Sequence, residues 1–590
     1  MTYTHSMQIE TMGMEVQIER VDDLPLLYGQ LKRMNVQTII DEIVSVHGNW
    51  QGLSPGWVIT IWLMYILSEQ NHLMEPVQKW VRNRQVTLKR LTGQALVELD
   101  FSDDRLALCL SYLQPSAIWQ AIESGLGRHL MRVYALPCQT VRLDATTGTV
   151  NHDPAGHELF RIGKAKNGLA VPQFKLMLAS LDPLGLPLAM DVVPGNQADD
   201  PLYAPIYQRV KAIVGGSGLL IVGDSKMSAK GTRATIVAGE DYYLVPLAHE
   251  KDEPTLLDDL LTPWSGRASE AQQIYLPEER PSAGGAPVAE RAIAYGFDVS
   301  RTRRVLVGQT EISWVERLLV VRSKAYAHTL QVGLQQRLAQ AESQLRQLTP
   351  PPGRGKRQSS DEATLVAEIR RSQQKYRVAG LLNLTYTAEI SERTLRKHKD
   401  KPQRIERRVR LQLQVTRNEA AIAHALFRAG WRIYATNAAV GNLALADAVL
   451  AYRDQYLEEN VFRRLHGKFL ALTPLYIQRD DHAQGLFHLL TLAARLLALV
   501  DYQAKKTLAT AGRSLAGIYD GNPNRSTSTP TTERLLKAFD NINLLIFGVG
   551  QAITHTLVTP LKTVQQEILR LLALPTALYT DLQTSHPSPT

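Results

Sequence analysis

Between Gln139 and Leu247 the chain changes rhythm, and that change constrains its fold more than any other feature. Short β-rich runs (Thr140 to Val150, Phe174 to Leu181, Leu188 to Val193, Leu219 to Val222, Tyr242 to Val245) alternate with turn signals such as Asp182-Pro-Leu-Gly185 and Pro194-Gly-Asn196. With the helix-like stretch Pro201 to Val214 between the third and fourth runs, the order is βββαβ, which predicts a mixed sheet. Two of these strands carry an acid. Asp144 alternates with Val141 and Leu143 on the same side as Arg142, and Asp224 ends the apolar run Leu219-Leu-Ile-Val-Gly223. A buried carboxylate without a partner is costly, and strand C-terminal ends commonly present functional groups. A structural alternative pairs Asp144 with Arg142 or Lys226 and has Asp224 cap a helix beginning near Ser228.

The flanking segments read differently. Residues 1–135 form a helical N-terminal region in which Ser54-Pro55-Gly56 starts a helix and Trp57 to Leu67 is its apolar run. Residues 136–250 hold the first part of the sheet. Residues 251–430 form an insertion: Leu330, Leu334, Leu338, Ala341, Leu345 and Leu348 share one helix face, Pro350 to Arg357 turns the chain, and Ser359-Ser-Asp-Glu362 has capping-box spacing for a returning helix. Val409, Leu411, Leu413 and Val415 then alternate with polar residues as in a half-exposed strand. Residues 431–480 return to the core with strand Trp431 to Thr436 and a helix from about Leu443 to His466. Residues 481–590 read as mostly apolar helix with a frayed end.

Length and charge narrow the function. The chain has 590 residues, 44% hydrophobic, and a net charge of +9, which favours a polyanionic partner. Its two cysteines, Cys109 and Cys138, match neither a disulfide framework nor a zinc site and suit a reducing cytoplasm. Leu486 to Val500 is too short to span a bilayer and is interrupted by Arg495, so no membrane is expected. Gly353-Arg-Gly-Lys356 lacks P-loop spacing, so no nucleotide cofactor is expected. His152 and His157-Glu158 are too few for zinc and read as loop or substrate contacts. The densest basic run, Arg393 to Arg410, includes Arg396, Lys397, Arg407 and Arg408, which are candidates for phosphate contacts beside the plainer reading of a solvated surface.

A third acid completes the pattern. Tyr452, Tyr456, Glu459, Arg463 and His466 recur at steps of four, three, four and three, and so share one face of the expected helix, with Gln455 one turn before Glu459. Three carboxylates can hold two divalent cations about 4 Å apart, one activating the attacking hydroxyl and one stabilising the leaving 3′ oxygen. Mg²⁺ suits an all-oxygen site, with Mn²⁺ as a substitute.

These residues resemble the DDE transposases of bacterial insertion sequences, in the IS4-like superfamily and its IS1634 group. The resemblance rests on Leu53-Ser-Pro-Gly56, Phe101-Ser-Asp-Asp-Arg105, Pro172-Gln-Phe-Lys175, Pro194-Gly-Asn196, Gly223-Asp-Ser225 and Pro530-Thr-Thr-Glu-Arg534, in that order. It implies an α/β fold with an RNase H-like mixed-sheet catalytic core, a large insertion, and helical N- and C-terminal regions. It selects Asp144, Asp224 and Glu459, rather than Glu458, as catalytic metal ligands, and Tyr452, Gln455, Arg463 and His466 as DNA contacts. Gln455 and His466 stand where the superfamily has arginine and lysine, and His466 is only partly charged near pH 7. Binding of terminal inverted repeats in double-stranded DNA, phosphodiester hydrolysis, strand transfer and a homodimer pairing two ends are what the resemblance implies. A nuclease of the same fold without strand transfer, or a transposase-derived protein that binds DNA without cutting it, are the alternatives.

Overall fold

The computed structural model describes residues 14–165, 168–247, 253–267, 270–277, 291–351, 353, 359–396, 403–454, 456–549 and 552–585. They form a mixed α/β chain of two compact units, each built from separated segments. The first contains residues 1–245, 303–314 and 451–590; the second contains residues 246–302 and 315–450.

In the first unit, strand Ala170–Asp182 pairs antiparallel with Thr140–Thr149 on one edge and with Arg161–Lys164 and Leu186–Pro194 on the other. Thr140–Thr149 pairs in parallel with Leu220–Gly223, which pairs in parallel with Tyr242–Pro246. The expected mixed sheet is therefore present, with Arg161–Lys164 as an extra strand. Its middle is apolar on both faces: Phe174, Leu176, Met177, Leu178, Ala179 and Leu181 are all buried.

Helices Ser116–Tyr134, Tyr203–Val214 and Asp480–Thr510 pack against these strands, and the last of these has the longest apolar stretch. It is long and apolar enough to cross a membrane, yet 94% of its most apolar stretch is buried inside the chain. Each fully buried leucine contributes about 1.5–3 kcal/mol. Arg495, which interrupts the apolar run in the sequence, is itself buried in the helix. It donates to Glu123 at 2.8 Å and to the carbonyls of Pro187 and Leu188 at 2.8 and 2.9 Å, so its charge is paired with a carboxylate and two of its three nitrogens have partners. Near the other end of the same chain, helix Pro55–Glu69 starts at Ser54 as expected, but its capping acceptor is Asp41, which receives Gly56 N–H at 2.6 Å and the Ser54 hydroxyl at 2.5 Å.

Three expectations fail in this unit. The segment after residue 510 is not mostly helical: strands Asn543–Val549 and Ala552–Val558 form a sheet with Met14–Arg20, which pairs antiparallel with Asn543–Val549. The C-terminal end is not frayed through its last fifteen residues, because Tyr579 is buried with its hydroxyl donating to Asp22 O at 2.9 Å, and Thr584–Ser585 pairs with His555 and Thr556. The helix expected from Leu443 to His466 is two helices, Leu445–Arg453 and Tyr456–His466. Its first part belongs to the second unit and its end to the first.

The second unit holds the expected helical hairpin, Lys324–Leu348 and Glu362–Tyr376. The returning helix is capped by Asp361, which accepts from Thr364 N at 2.9 Å, rather than by Ser359. Leu334, Leu338, Ala341 and Leu345 pack with Leu365, Ile369, Leu411 and Leu413. The polar stretch before the hairpin, expected as loops, contains the long strands Ala294–Val307 and Thr310–Ser323; the latter pairs with Trp431–Thr436.

Candidate active site

Parallel pairing sets Leu143 opposite Gly223, and Asp144 and Asp224 are the residues that follow these two, Asp224 one position past the end of its strand. Both are half-buried. Asp144 Oδ1 accepts from Ala145 N at 2.8 Å. Asp224 Oδ1 accepts from the Tyr203 hydroxyl at 2.6 Å and from Lys226 N at 2.8 Å, so it does cap the short turn Ser225–Ser228. Arg142 donates to Asp182 at 2.6 Å and to Ala451 O at 2.7 Å rather than to Asp144. The structural alternative thus fails for Arg142 as the partner of Asp144, and Asp224 caps the turn Ser225–Ser228 rather than a helix beginning near Ser228, the next helix being Lys230–Ala238.

Tyr203 is a site residue that the sequence did not reveal; its spacing with Ile206, Tyr207 and Val210 marks only an apolar helix face. Burial pushes its phenol far above the ordinary value, and the charges of Asp224 and Asp144 push it further. It therefore stays protonated and donates to Asp224.

Glu459 lies on helix Tyr456–His466. Glu459, Phe462, Arg463 and His466 line one groove with Asp144 and Thr146, a cavity of about 690 Å³. His466 Nε2 lies 3.3 Å from Thr146 Oγ1, two residues along the strand from Asp144. Seven helical residues rise about 10 Å, so Glu459 stands roughly that far along the helix from the point where His466 meets the strand. Glu459 and Arg463 are exposed, and Arg463 donates to Asn460 Oδ1 at 3.3 Å. Among the described residues, no three His, Cys, Asp or Glu side chains stand close enough together to hold a metal ion. In kind, the all-carboxylate donor set suits Mg²⁺ or Mn²⁺, but Asp144, Asp224 and Glu459 do not come together as one set of ligands. Tyr452 is half-buried on the preceding helix, so the continuous face expected from Tyr452 to His466 does not exist. Gln455 and Lys397 lie outside the described residues.

What fixes the Glu459 helix is a feature the sequence showed only as a motif. Val461 and Leu465 are buried behind it, and Arg464 forms ion pairs with Asp501 at 2.7 Å and Glu533 at 3.0 Å. Burial opposes the Arg464 charge, but the two carboxylates outweigh it and raise its pKa. Asp501 also accepts from Thr532 N and Oγ1, each at 2.6 Å. Pro530-Thr-Thr-Glu-Arg534 is thus the brace of the helix that carries the third acid.

The other motifs are also structural. Leu53 N donates to Asp100 at 3.3 Å and the Arg105 guanidinium lies 3.9 Å from the Trp50 ring centre, which joins Leu53–Gly56 to Phe101–Arg105. Gln173 donates to Gly195 O at 2.9 Å, and Lys175 pairs with Asp199, which joins Pro172–Lys175 to the turn after Pro194. A Cβ on Gly195 would lie 1.9 Å from Gln173 O, so only glycine permits the approach. His157 Nδ1 lies 2.7 Å from Asp480 Oδ1, which fastens that loop to the start of helix Asp480–Thr510. In the basic run, Arg407 and Arg408 are exposed on opposite faces of the strand Arg404–Arg417, and Arg396 is exposed beyond the end of Leu382–Leu395.

No protein-family model and no curated protein matches the chain. Among solved structures, the piggyBac transposase in a synaptic complex with hairpin DNA matches over 81% of this chain and 85% of its own, with 10% identity and a TM-score of 0.23. A score of that size does not establish a shared fold.

Proposed function

We propose that this chain is a DNA transposase of the DDE type with an RNase H-like core, which binds the terminal inverted repeats of an insertion sequence, cuts at each end and joins the freed 3′ hydroxyl to target DNA. The reading is supported by Asp144 and Asp224 each following one of the paired residues Leu143 and Gly223, and by Asp144 and Glu459 lining one groove. Asp144 and Asp224 would hold the divalent metal, Glu459 would complete its ligands, and the bound ions would supply the activation of the nucleophile and the stabilisation of the leaving oxygen. Tyr203 keeps Asp224 in place through its hydrogen bond, while Arg463 and His466 present cationic and hydrogen-bonding groups to phosphate along the groove. Because Glu459 stands off, DNA binding must draw its helix toward the strands before cleavage. Two DNA ends call for two copies of the chain.

The test is a cleavage and joining assay with Mg²⁺ and duplex DNA carrying the inverted repeats that bound the chain's own gene. Wild-type protein cuts and joins; Asp144→Asn, Asp224→Asn and Glu459→Gln each bind the ends with unchanged affinity and lose more than about a thousandfold in both steps. Full strand transfer by any one variant would sink the assignment. Cutting without joining would favour a nuclease. The separation of the three carboxylates favours a second reading, a protein that binds DNA without cutting it, and wild-type binding without cleavage would select that one.

A further inference from the structure

Strands Leu382–Leu395 and Arg404–Arg417 pair antiparallel over their full lengths, an isolated two-stranded ribbon of about 45 Å at ~3.3 Å per residue. Residues paired across it share a face. One face carries Tyr386 opposite Leu413, Ala388 opposite Leu411, Ile390 opposite Val409 and Glu392 opposite Arg407. Its base is covered: Leu411 and Leu413 are buried in the core of the helical hairpin, the Tyr386 hydroxyl donates to Glu362 at 2.5 Å, and Arg417 pairs with Glu342 at 2.5 Å.

The other face is open from end to end. It carries Thr385 opposite Gln414, Thr387 opposite Gln412, Glu389 opposite Arg410, Ser391 opposite Arg408, Arg393 opposite Glu406, and Leu395 opposite Arg404. Thr385, Thr387, Ser391, Arg393, Arg404, Arg408, Gln412 and Gln414 are all exposed. Four arginines outnumber two glutamates at its outer half, and uncharged hydrogen-bonding side chains fill its inner half. A two-stranded ribbon is marginal by itself in water; on its open face Arg408 pairs with Glu406 at 3.0 Å and Arg410 with Glu389 at 3.3 Å, surface pairs worth at most about 1 kcal/mol that a phosphate can displace.

We infer that this open face is a DNA-binding arm that lies in the major groove of duplex DNA, with Arg393, Arg404 and Arg408 on the phosphates and the Thr, Ser and Gln side chains at base edges. The major groove, about 12 Å wide, admits a two-stranded ribbon, and 45 Å exceeds one helical turn of about 34 Å. Charge complementarity selects a polyanion over a protein partner. The inference rests on the proposed DNA function, and adds to it a surface outside the carboxylate site, on the second unit. It also divides the basic run: Arg408 lies on the arm's proposed DNA face, and Arg407 on the opposite one.

The experiment is fluorescence-anisotropy binding of the full-length protein to a duplex of unrelated sequence across a KCl series. Substituting Arg393→Gln, Arg404→Gln and Arg408→Gln together removes three phosphate contacts, so the slope of log affinity against log salt falls by about 2 to 3, whereas Arg407→Gln leaves it unchanged. Thermal unfolding matched to wild type establishes that the triple variant folds. A second measurement reads the face directly: Ser391→Cys carrying a photocrosslinker captures DNA at least five times more efficiently than Glu392→Cys, its neighbour on the opposite face. Wild-type binding with an unchanged slope in the triple variant, or equal crosslinking from both positions, overturns the arm and leaves the transposase proposal standing. Failure of the wild type to bind duplex DNA overturns both.

Discussion

Replacing Arg464 with methionine keeps the length of the side chain and removes the charge between Asp501 and Glu533. The Arg464 side chain is 11% exposed and its partners 13% and 28%, so the change strands two largely buried carboxylates. Breaking a buried ion pair costs about 3–5 kcal/mol; the partial exposure of Glu533 puts this case near 3 kcal/mol. Because the pair ties helix Tyr456–His466 to helices Asp480–Thr510 and Thr532–Lys537, the loss falls on the Glu459 helix first. A local loss of about 3 kcal/mol corresponds to roughly a hundredfold faster amide exchange. Hydrogen exchange read by mass spectrometry, over peptides spanning residues 459–466, is the direct assay. DNA cleavage falls with it while end-binding affinity changes less than about tenfold, because the variant substitutes none of the proposed DNA contacts and loosens only the helix that carries Arg463 and His466. Adding Glu533→Gln to Arg464→Met restores part of the protection, since only one stranded charge remains. Exchange within threefold of wild type in the single variant would refute the bracing role.

Asp23 is buried, and burial pushes its carboxyl up to about 7, with the neighbouring Asp22 charge adding to the rise and the Ser68 hydrogen bond at 2.6 Å opposing it. A raised folded-state pKa gives stability that is fully present below about pH 4 and lost as pH rises through about 7, so Asp23→Asn gains on wild type by up to about 3 kcal/mol between pH 5 and pH 8 in urea unfolding; a flat difference contradicts this. Tyr203→Phe removes a hydrogen-bond donor from Asp224 and lowers the DNA cleavage rate about tenfold, with little change in DNA affinity. Gly195→Ala forces a methyl into the Gln173 carbonyl and costs about 1–3 kcal/mol in thermal unfolding, whereas Gly216→Ala, in open space but at a φ of +69°, costs about 1 kcal/mol.

The strands leading to Asp144 and Asp224 were legible because each is an apolar run bounded by turn residues, whereas their parallel pairing joins elements separated by three strands and a helix. The helical hairpin was legible for the same reason: its leucines recur at helical spacing and bury one face. Met14–Arg20 was not, because its partner Asn543–Val549 lies more than five hundred residues away and no local pattern encodes that pairing. Strand Ala294–Val307 was hidden by Ser300 to Arg304, whose charges suit an exposed edge as well as a loop. The break after Arg453 was hidden by a periodicity that continues across it, so spacing suggested one helix where there are two. For the site, acid identity was readable, but the separation of Glu459 from the aspartates depends on where its helix is braced, and Arg464 pairs with residues 37 and 69 positions away.

The pairing of Met14–Arg20 with Asn543–Val549 sets a clock on biogenesis. At about 5–20 residues per second, a ribosome delivers the second strand roughly 25 to 100 s after the first. Throughout that interval the early strand presents an unpaired edge on a growing chain, where neighbouring nascent copies on the same message are at high local concentration, and such edges template misassociation. A transcript cut short before residue 543 would leave this edge exposed for good.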